Sequence, residues 1–204
     1  CIGKVTIVHN GIFENYLEVK KELHHYEFRT ETDTEVIAAC INDAFENGLK
    51  PLDAIRAAAK RVVGRFAICV IFEGIEGIYA ARRGSPLIVG RGQDASYLAS
   101  DIPAFLSETN VVNYLDDNEL VFIHGKDAQF FNLDTGESII KRDITVSWKI
   151  EEAEKGDFPH FMIKEIFDQK DTINRAINHT DKKMINAIEL LQSANGAYFV
   201  ACGT

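Results

Sequence analysis

The chain contains 204 residues, of which 46% are hydrophobic and 26% are charged, and its formal net charge at pH 7 is −9. This composition supports a packed core and excludes a disordered chain. Because nucleic acids are bound through concentrated Lys and Arg, and no apolar run approaches the roughly 20 residues that span a bilayer, we expect a soluble, cytoplasmic protein with neither nucleic acid nor a membrane as a partner.

Helical patterns and one strand occupy the first part of the chain. The β-branched run 5–8 predicts a buried strand that ends in a turn at His-Asn-Gly (9–11), because Asn-Gly is a strong turn signal. Apolar residues at helical spacing then predict one helix around Tyr16, a second from about Val36 and a third that begins at Pro51.

From Gly64 to about Ile144 the apolar pattern changes to short runs separated by turn signals, which predicts strands. Asp101 is expected to cap a short helix between two of them. Helices followed by a run of antiparallel strands predict an α+β layered domain. The predicted strands are 65–72, 78–83, 87–90, 97–100, 111–114, 120–123 and 128–131.

The last part of the chain has a different organisation. The charged stretch 151–157 predicts a linker, and helical patterns follow at 161–177 and 183–192. The apolar run 197–202 predicts a strand that stops at Gly-Thr, like the first strand of a βα unit cut before its helix. Since the sequence also starts with Cys instead of Met, we expect an internal fragment of a longer protein.

Thiols and basic pairs carry no functional signal of their own. Cys40, Cys69 and Cys202 form no CxxC pair, so neither a metal site nor a disulfide framework is indicated, and buried reduced thiols are expected. The basic pairs at 20–21 and 82–83 are interpreted as solvated surface.

Two local patterns could carry chemistry. The Asn10 side-chain amide and the Gly11 N–H together could hold the oxyanion of an acyl-transfer intermediate, although the dipeptide alone favours a plain turn. Asp33 could bind a ligand ammonium group. The local pattern favours a helix cap there, because Thr32 and Glu35 fit a capping box and Asp33 suits the positive end of a helix.

Cys1 is a third candidate, as an N-terminal nucleophile whose own α-amine acts as the base. Its position argues against that role. Cys1 precedes Asn10 by nine residues on the approach to the same predicted strand, and nine residues of strand span about 30 Å. We therefore expect Cys1 and Asn10 at opposite ends of the strand.

Six motifs follow one another along the whole chain. They are Val-His-Asn-Gly-Ile-Phe-Glu-Asn (8–15), Thr-Glu-Thr-Asp-Thr-Glu-Val-Ile (30–37), Ala-Ala-Arg-Arg-Gly-Ser-Pro-Leu (80–87), Leu-Ala-Ser-Asp (98–101), Met-Ile-Lys-Glu-Ile (162–166) and Ala-Cys-Gly-Thr (201–204). Together they resemble one family, the glutamine–fructose-6-phosphate aminotransferases (isomerising). The first two motifs are shared with other class II glutamine amidotransferases, whereas the fifth and sixth select this family.

The resemblance implies a fold and site roles. The fold is the N-terminal-nucleophile (Ntn) hydrolase αββα sandwich of antiparallel sheets, here incomplete at its N-terminus. Residues 1–150 would be the later part of the glutaminase domain, 151–180 a linker with a helix, and 181–204 the first helix and strand of the sugar isomerase domain. Asn10 and Gly11 would form the oxyanion hole, and Asp33 would bind the α-amino group of glutamine.

The family nucleophile is an N-terminal Cys followed by Gly-Ile, whereas Cys1 is followed by Ile-Gly-Lys, and the family's Arg-Trp stretch for the glutamine carboxylate is absent. The resemblance thus predicts part of an enzyme that moves the amide nitrogen of glutamine to fructose 6-phosphate, inactive by itself and lacking its nucleophile. Glutamine, fructose 6-phosphate bound by the isomerase domain, and homo-oligomerisation are expected, with no cofactor. A non-catalytic binding or regulatory module and an amidohydrolase using Cys1 remain alternatives.

Overall fold

The computed structural model describes residues 1–147, 156, 158–178, 181–194 and 196. The chain divides into two compact units, Cys1–Ala153 and Glu154–Thr204. The predicted strand 197–202 and all but one residue of the predicted linker 151–157 lie outside the described residues. The domain boundaries inferred from the motifs therefore stay predictions.

One strand and then three helices precede the run of strands in the first unit, as predicted. The helices are α1 (Tyr16–Glu22), α2 (Asp33–Glu46) and α3 (Pro51–Arg61). The strands are β1 (Val5–Phe13), β2 (Gly64–Phe72), β3 (Ile75–Arg83), β4 (Ile88–Arg91), β5 (Ser96–Ala99), β6 (Val111–Tyr114), β7 (Glu119–His124), β8 (Asp127–Asn132), β9 (Ser138–Ile139) and β10 (Ile144–Thr145).

These strands form two antiparallel sheets, which confirms the α+β class. The first sheet has the order β1-β2-β3-β7-β8-β9, and the second has the order β10-β6-β4-β5. Strand β1 therefore lies at one end of the larger sheet. Its pairing with β2 runs without a register shift from Val5 opposite Phe72 to Phe13 opposite Gly64.

The predicted turn at His-Asn-Gly (9–11) is wrong, because β1 continues through these residues to Phe13. The nine residues of β2 offer β1 a ladder along its full length. Tertiary pairing of this kind outweighs the local turn preference of an Asn-Gly dipeptide. The motif thus lies inside a strand, where alternate residues face opposite sides of the sheet.

Three apolar cores hold the layers of the first unit together. One lies between the three helices and the larger sheet, and it includes Ile37, Ile55 and Phe66. Another joins the two sheets, for example through Val89 and Val121. A third covers the outer face of the smaller sheet with a 3-10 helix, Ile102–Ala104, whose first N–H is capped by the Asp101 carboxylate at 2.8 Å, as predicted.

The core between the sheets does not cover the whole larger sheet. Val8 and Ile12 on β1 are 71% and 66% exposed, and Ile71 on β2 is 46% exposed. These three side chains alternate in register with the residues that pack beneath the helices, so they share the opposite face of the sheet. We refer to Val8, Ile12 and Ile71 as the uncovered face.

The interpretation of Arg82 and Arg83 as solvated surface is wrong. Arg82 donates to the Leu115 carbonyl oxygen at 2.7 Å and to Asp117 at 2.8 Å. Arg83 donates to Asn118 Oδ1 at 2.7 Å and to the Ala59 carbonyl oxygen near the end of α3 at 3.2 Å. The last carbonyls of a helix lack partners within it, so a guanidinium group at that end satisfies them.

Cys40 is buried as predicted, whereas Cys69 is only half-buried. Burial raises the pKa of each thiol to about 11, so both are neutral near pH 7. Cys202 lies outside the described residues.

The second unit contains α4 (Phe161–Ile177) and α5 (Asp181–Ser193), where helices were predicted. No helix in the described part of the chain is both long and apolar enough to cross a membrane.

Candidate active site

The site is organised by the side of β1 that faces away from β2, here called the open edge. The Val5 N–H donates to the Ile2 carbonyl oxygen at 2.9 Å, and the Phe13 N–H donates to Asp33 Oδ2 at 2.8 Å. Both groups point away from β2. Because backbone groups alternate along an antiparallel strand, the N–H and C=O of Gly11 point to the open edge as well.

Gly11 can only be a glycine in this strand. Its φ is +153°, and an added β-carbon would lie 2.7 Å from the Phe66 Cα on β2. Real β-carbons essentially never come so close to a neighbouring backbone. The close approach of the two strands therefore requires a glycine, which leaves the Gly11 N–H unshielded by a side chain of its own.

Asn10 points to the face of the sheet opposite the helices. It lines a hollow of about 300 Å³ together with Gly11, Ile12, Glu14, Arg65 and Ser85. A second hollow of about 200 Å³ joins Asn10 to Cys69, Pro86, Leu87 and Ser100. Two of the other motifs, 80–87 and 98–101, thus meet the His-Asn-Gly motif in space. Asn10 and Gly11 share one open space, as an oxyanion hole requires.

Asp33 is the first residue of α2, and its side chain is 24% exposed. Oδ2 accepts from the Phe13 N–H, and Oδ1 accepts from the Thr34 hydroxyl at 3.4 Å. This carboxylate is therefore tied to the open edge of β1 and not to the backbone of its own helix. Gly11 and Asp33 lie along the same edge.

The predicted capping box is wrong. Thr32 makes no side-chain cap hydrogen bond. Glu35 accepts instead from the Arg29 and Thr30 N–H groups, at 2.9 and 2.8 Å, which closes the loop before α2. These hydrogen bonds lower the pKa of Glu35 although its partial burial opposes them.

His9 is a site residue that the sequence reasoning missed. Its side chain is 2% exposed, and Nδ1 lies 3.1 Å from Thr34 Oγ1 and 3.8 Å from Asp33 Oδ1. Burial lowers its pKa, and the nearby Asp33 charge opposes this in part. Had the strand been predicted to continue through residue 13, the alternation of side chains would have placed His9 on the same buried face as Val5 and Phe13. The predicted turn at 9–11 ended the strand too early for this inference.

Cys1 is not placed as predicted. Ile2 and Val5 exchange two backbone hydrogen bonds of 2.9 Å, so the chain reverses before β1 begins. The exposed Cys1 is folded back to a hollow of about 150 Å³ that Ile7 and Thr34 also line. Asn10 and Gly11 do not line that hollow. Among the described residues, no three His, Cys, Asp or Glu side chains cluster as metal ligands.

Solved structures share the fold. The glutamine phosphoribosylpyrophosphate amidotransferase from B. subtilis superposes with a TM-score of 0.56, covering 64% of this chain and 29% of that chain at 23% identity. The allosteric regulatory enzyme of purine biosynthesis gives 0.55 with the same coverage at 24% identity. The antiparallel sheets and their helices therefore form the Ntn-type amidotransferase fold.

The family model for the glutamine amidotransferase domain matches residues 2–107. The chain therefore belongs to the glutamine amidotransferase domain family. Over its whole length it is 39% identical to the glutamine–fructose-6-phosphate aminotransferase (isomerizing) of Thermococcus kodakarensis, and over 99% of its length 38% identical to that of Thermus thermophilus. The resemblance inferred from the motifs is confirmed. The chain spans 34% of the length of each of these relatives.

Proposed function

We propose that this chain supplies the oxyanion hole and the amine-binding carboxylate of the glutaminase centre in a glutamine–fructose-6-phosphate aminotransferase. Asn10 and Gly11 stabilise the oxyanion, and Asp33 binds the α-ammonium group of glutamine. One observation carries the proposal: the Gly11 N–H and the Asp33 carboxylate lie along the same open edge of β1.

The separation of these groups suits glutamine. The N–H groups of Gly11 and Phe13 are two residues apart, or roughly 7 Å along a strand. Asp33 Oδ2 lies 2.8 Å from the Phe13 nitrogen. In extended glutamine, four bonds separate the amide carbon from the α-nitrogen, a length of about 5 Å. A glutamine parallel to β1 can therefore reach both groups.

Each group has a separate role in amide hydrolysis. Attack of a nucleophile on the amide carbon places negative charge on the amide oxygen, which accepts hydrogen bonds from the Gly11 N–H and the Asn10 side chain. The substrate ammonium donates to Asp33, and the outward C=O of Gly11 can accept from it as well. Since the oxyanion exists only in the transition state, the first two contacts raise kcat, whereas the Asp33 contact acts on binding.

The nucleophile is proposed to come from residues of the intact enzyme beyond these 204. Cys69 shares a hollow with Asn10, but burial raises its pKa to about 11, so its thiolate is scarce at neutral pH. The transfer of nitrogen to fructose 6-phosphate is proposed for the intact enzyme on the basis of its relatives' names. Homo-oligomerisation and a cytoplasmic location are proposed for it on the motif resemblance alone.

Glutamine hydrolysis by the intact enzyme tests the proposal. Asn10→Ala should lower kcat and leave KM nearly unchanged, and Gln93→Ala, an exposed amide elsewhere, is the matched control. The 204-residue chain alone should release neither ammonia nor glutamate. Activity of that chain that Cys1→Ala abolishes would support Cys1 as the nucleophile instead. If Asn10→Ala does not change kcat of the intact enzyme, the alternative of a non-catalytic binding module is favoured.

A further inference from the structure

We infer that His9 is a positioning residue that fixes the Asp33 carboxylate for the substrate ammonium, acting through the Thr34 hydroxyl. The inference rests on the proposed function, because it assumes that Asp33 binds glutamine. It adds a residue that touches neither the amide nor the ammonium of the substrate.

The side chain of His9 is enclosed. It points from β1 toward the start of α2 and is 2% exposed. Directly after it, Asn10 and Gly11 supply the oxyanion donors. His9 therefore links the strand that carries the oxyanion hole to the helix that carries Asp33.

The hydrogen bonds assign the ring proton. The Thr34 hydroxyl has one hydrogen, and it donates this to Asp33 Oδ1 at 3.4 Å. The Thr34 oxygen then accepts from the ring, whose Nδ1 lies 3.1 Å away. This pattern favours the tautomer of neutral His9 that carries its proton on Nδ1, as does the Asp33 charge at 3.8 Å. Nε2 is buried and has no partner among the residues that the structure describes.

This arrangement holds both oxygens of the carboxylate. Oδ2 is fixed by the Phe13 N–H and Oδ1 by the Thr34 hydroxyl, whose own orientation is set by His9. The partly exposed side of Asp33 remains for a cation. Preorganising a charged acceptor in this way lowers the ordering cost of binding.

The neutral ring leaves the charge of Asp33 available to the substrate. Asp33 on α2 is the charged group that faces His9, and Ile68 lies opposite His9 on β2. Burial lowers the pKa of His9. A protonated ring at this position would compete with the ammonium group for the same carboxylate.

The test compares substitutions that keep or remove one hydrogen bond in the intact enzyme. An Asn amide nitrogen can replace Nδ1, whereas a Gln amide nitrogen lies nearer the position of Nε2. His9→Gln should therefore raise KM for glutamine about ten-fold with kcat little changed, a loss comparable to one hydrogen bond between neutral groups. His9→Asn should have a KM for glutamine much closer to that of the wild type.

A second pair of variants covers the case in which His9 substitutions impair folding. Thr34→Val removes the hydroxyl at nearly constant volume and should raise KM as His9→Gln does, whereas Thr34→Ser should stay near wild type. Nitrogen-15 NMR of the ring should show protonated Nδ1 and unprotonated Nε2, independently of activity.

The outcomes separate this inference from the proposed function. If Asp33→Asn raises KM but His9→Gln and Thr34→Val do not, His9 has no positioning role and the proposed function stands. If Asp33→Asn leaves KM unchanged, the proposed function itself is wrong. A ring proton found on Nε2 would overturn the inference in either case.

Discussion

The Asp33 carboxylate accepts a hydrogen bond from the Phe13 N–H at 2.8 Å, which joins the first residue of α2 to the open edge of β1. Two residues earlier on that edge lies the N–H of Gly11. A strand edge usually pairs with another strand or is protected from it. Here the edge instead holds the proposed oxyanion donor and the Asp33 carboxylate, separated by about the length of a glutamine side chain.

The role of Asp33 can be tested by removing its charge. Asp33→Asn keeps an oxygen that accepts from the Phe13 N–H, so the melting temperature of the intact enzyme should change little. KM for glutamine should rise about ten-fold or more, as expected when a hydrogen bond between charged groups is lost. Asp94→Asn, at an exposed site, is the control. Equal kinetics for the two variants would refute the assignment.

His9 predicts a dependence of stability on pH. Its pKa is lowered in the folded chain, so the unfolded chain, with a pKa near 6.5, binds a proton more readily. The free energy of unfolding should therefore fall as the pH drops through 6.5 toward the folded-state pKa. Urea unfolding at several pH values should show a weaker fall for His9→Gln. Parallel curves for the two proteins would contradict the prediction.

Arg83 should contribute to stability and not to the site. Arg83→Met keeps most of the apolar stem but removes the donors to Asn118 and to the end of α3. We expect a loss of about 1–3 kcal/mol in the free energy of unfolding, the cost of leaving buried acceptors unpaired. Lys126→Met, at an exposed site, should lose much less. Equal losses for the two variants would show that Arg83 contributes no more to stability than a solvated surface residue.

The uncovered face predicts self-association of the isolated 204-residue chain. Val8, Ile12 and Ile71 lie together at the open end of the larger sheet, where apolar side chains and an unpaired edge favour contact between copies. Light scattering should show a mass that rises with concentration, and Val8→Lys should reduce the rise. Ile140→Lys, at a residue 95% exposed outside this face, should not. A monomer at all concentrations would disprove this prediction.

Local patterns in the sequence predicted the helices and most strands, because periodicity and turn residues act over a few positions. Tertiary pairing decided what they missed. The Asn-Gly dipeptide forms no turn, because β1 pairs with β2 along its full length. The chain reverses between Ile2 and Val5, so Cys1 does not extend the strand. The resemblance pointed to Asn10, Gly11 and Asp33, but the common edge of Gly11 and Asp33 follows only from the strand register.

The most direct test of the account is the effect of Asn10→Ala on glutamine hydrolysis by the intact enzyme. Loss of one oxyanion donor should lower kcat by about 10²–10³-fold. KM should change little, because the oxyanion forms only in the transition state. Circular dichroism and melting temperature should match the parent enzyme, since Asn10 is exposed. A folded Asn10→Ala enzyme with the kcat of the parent would contradict the central claim.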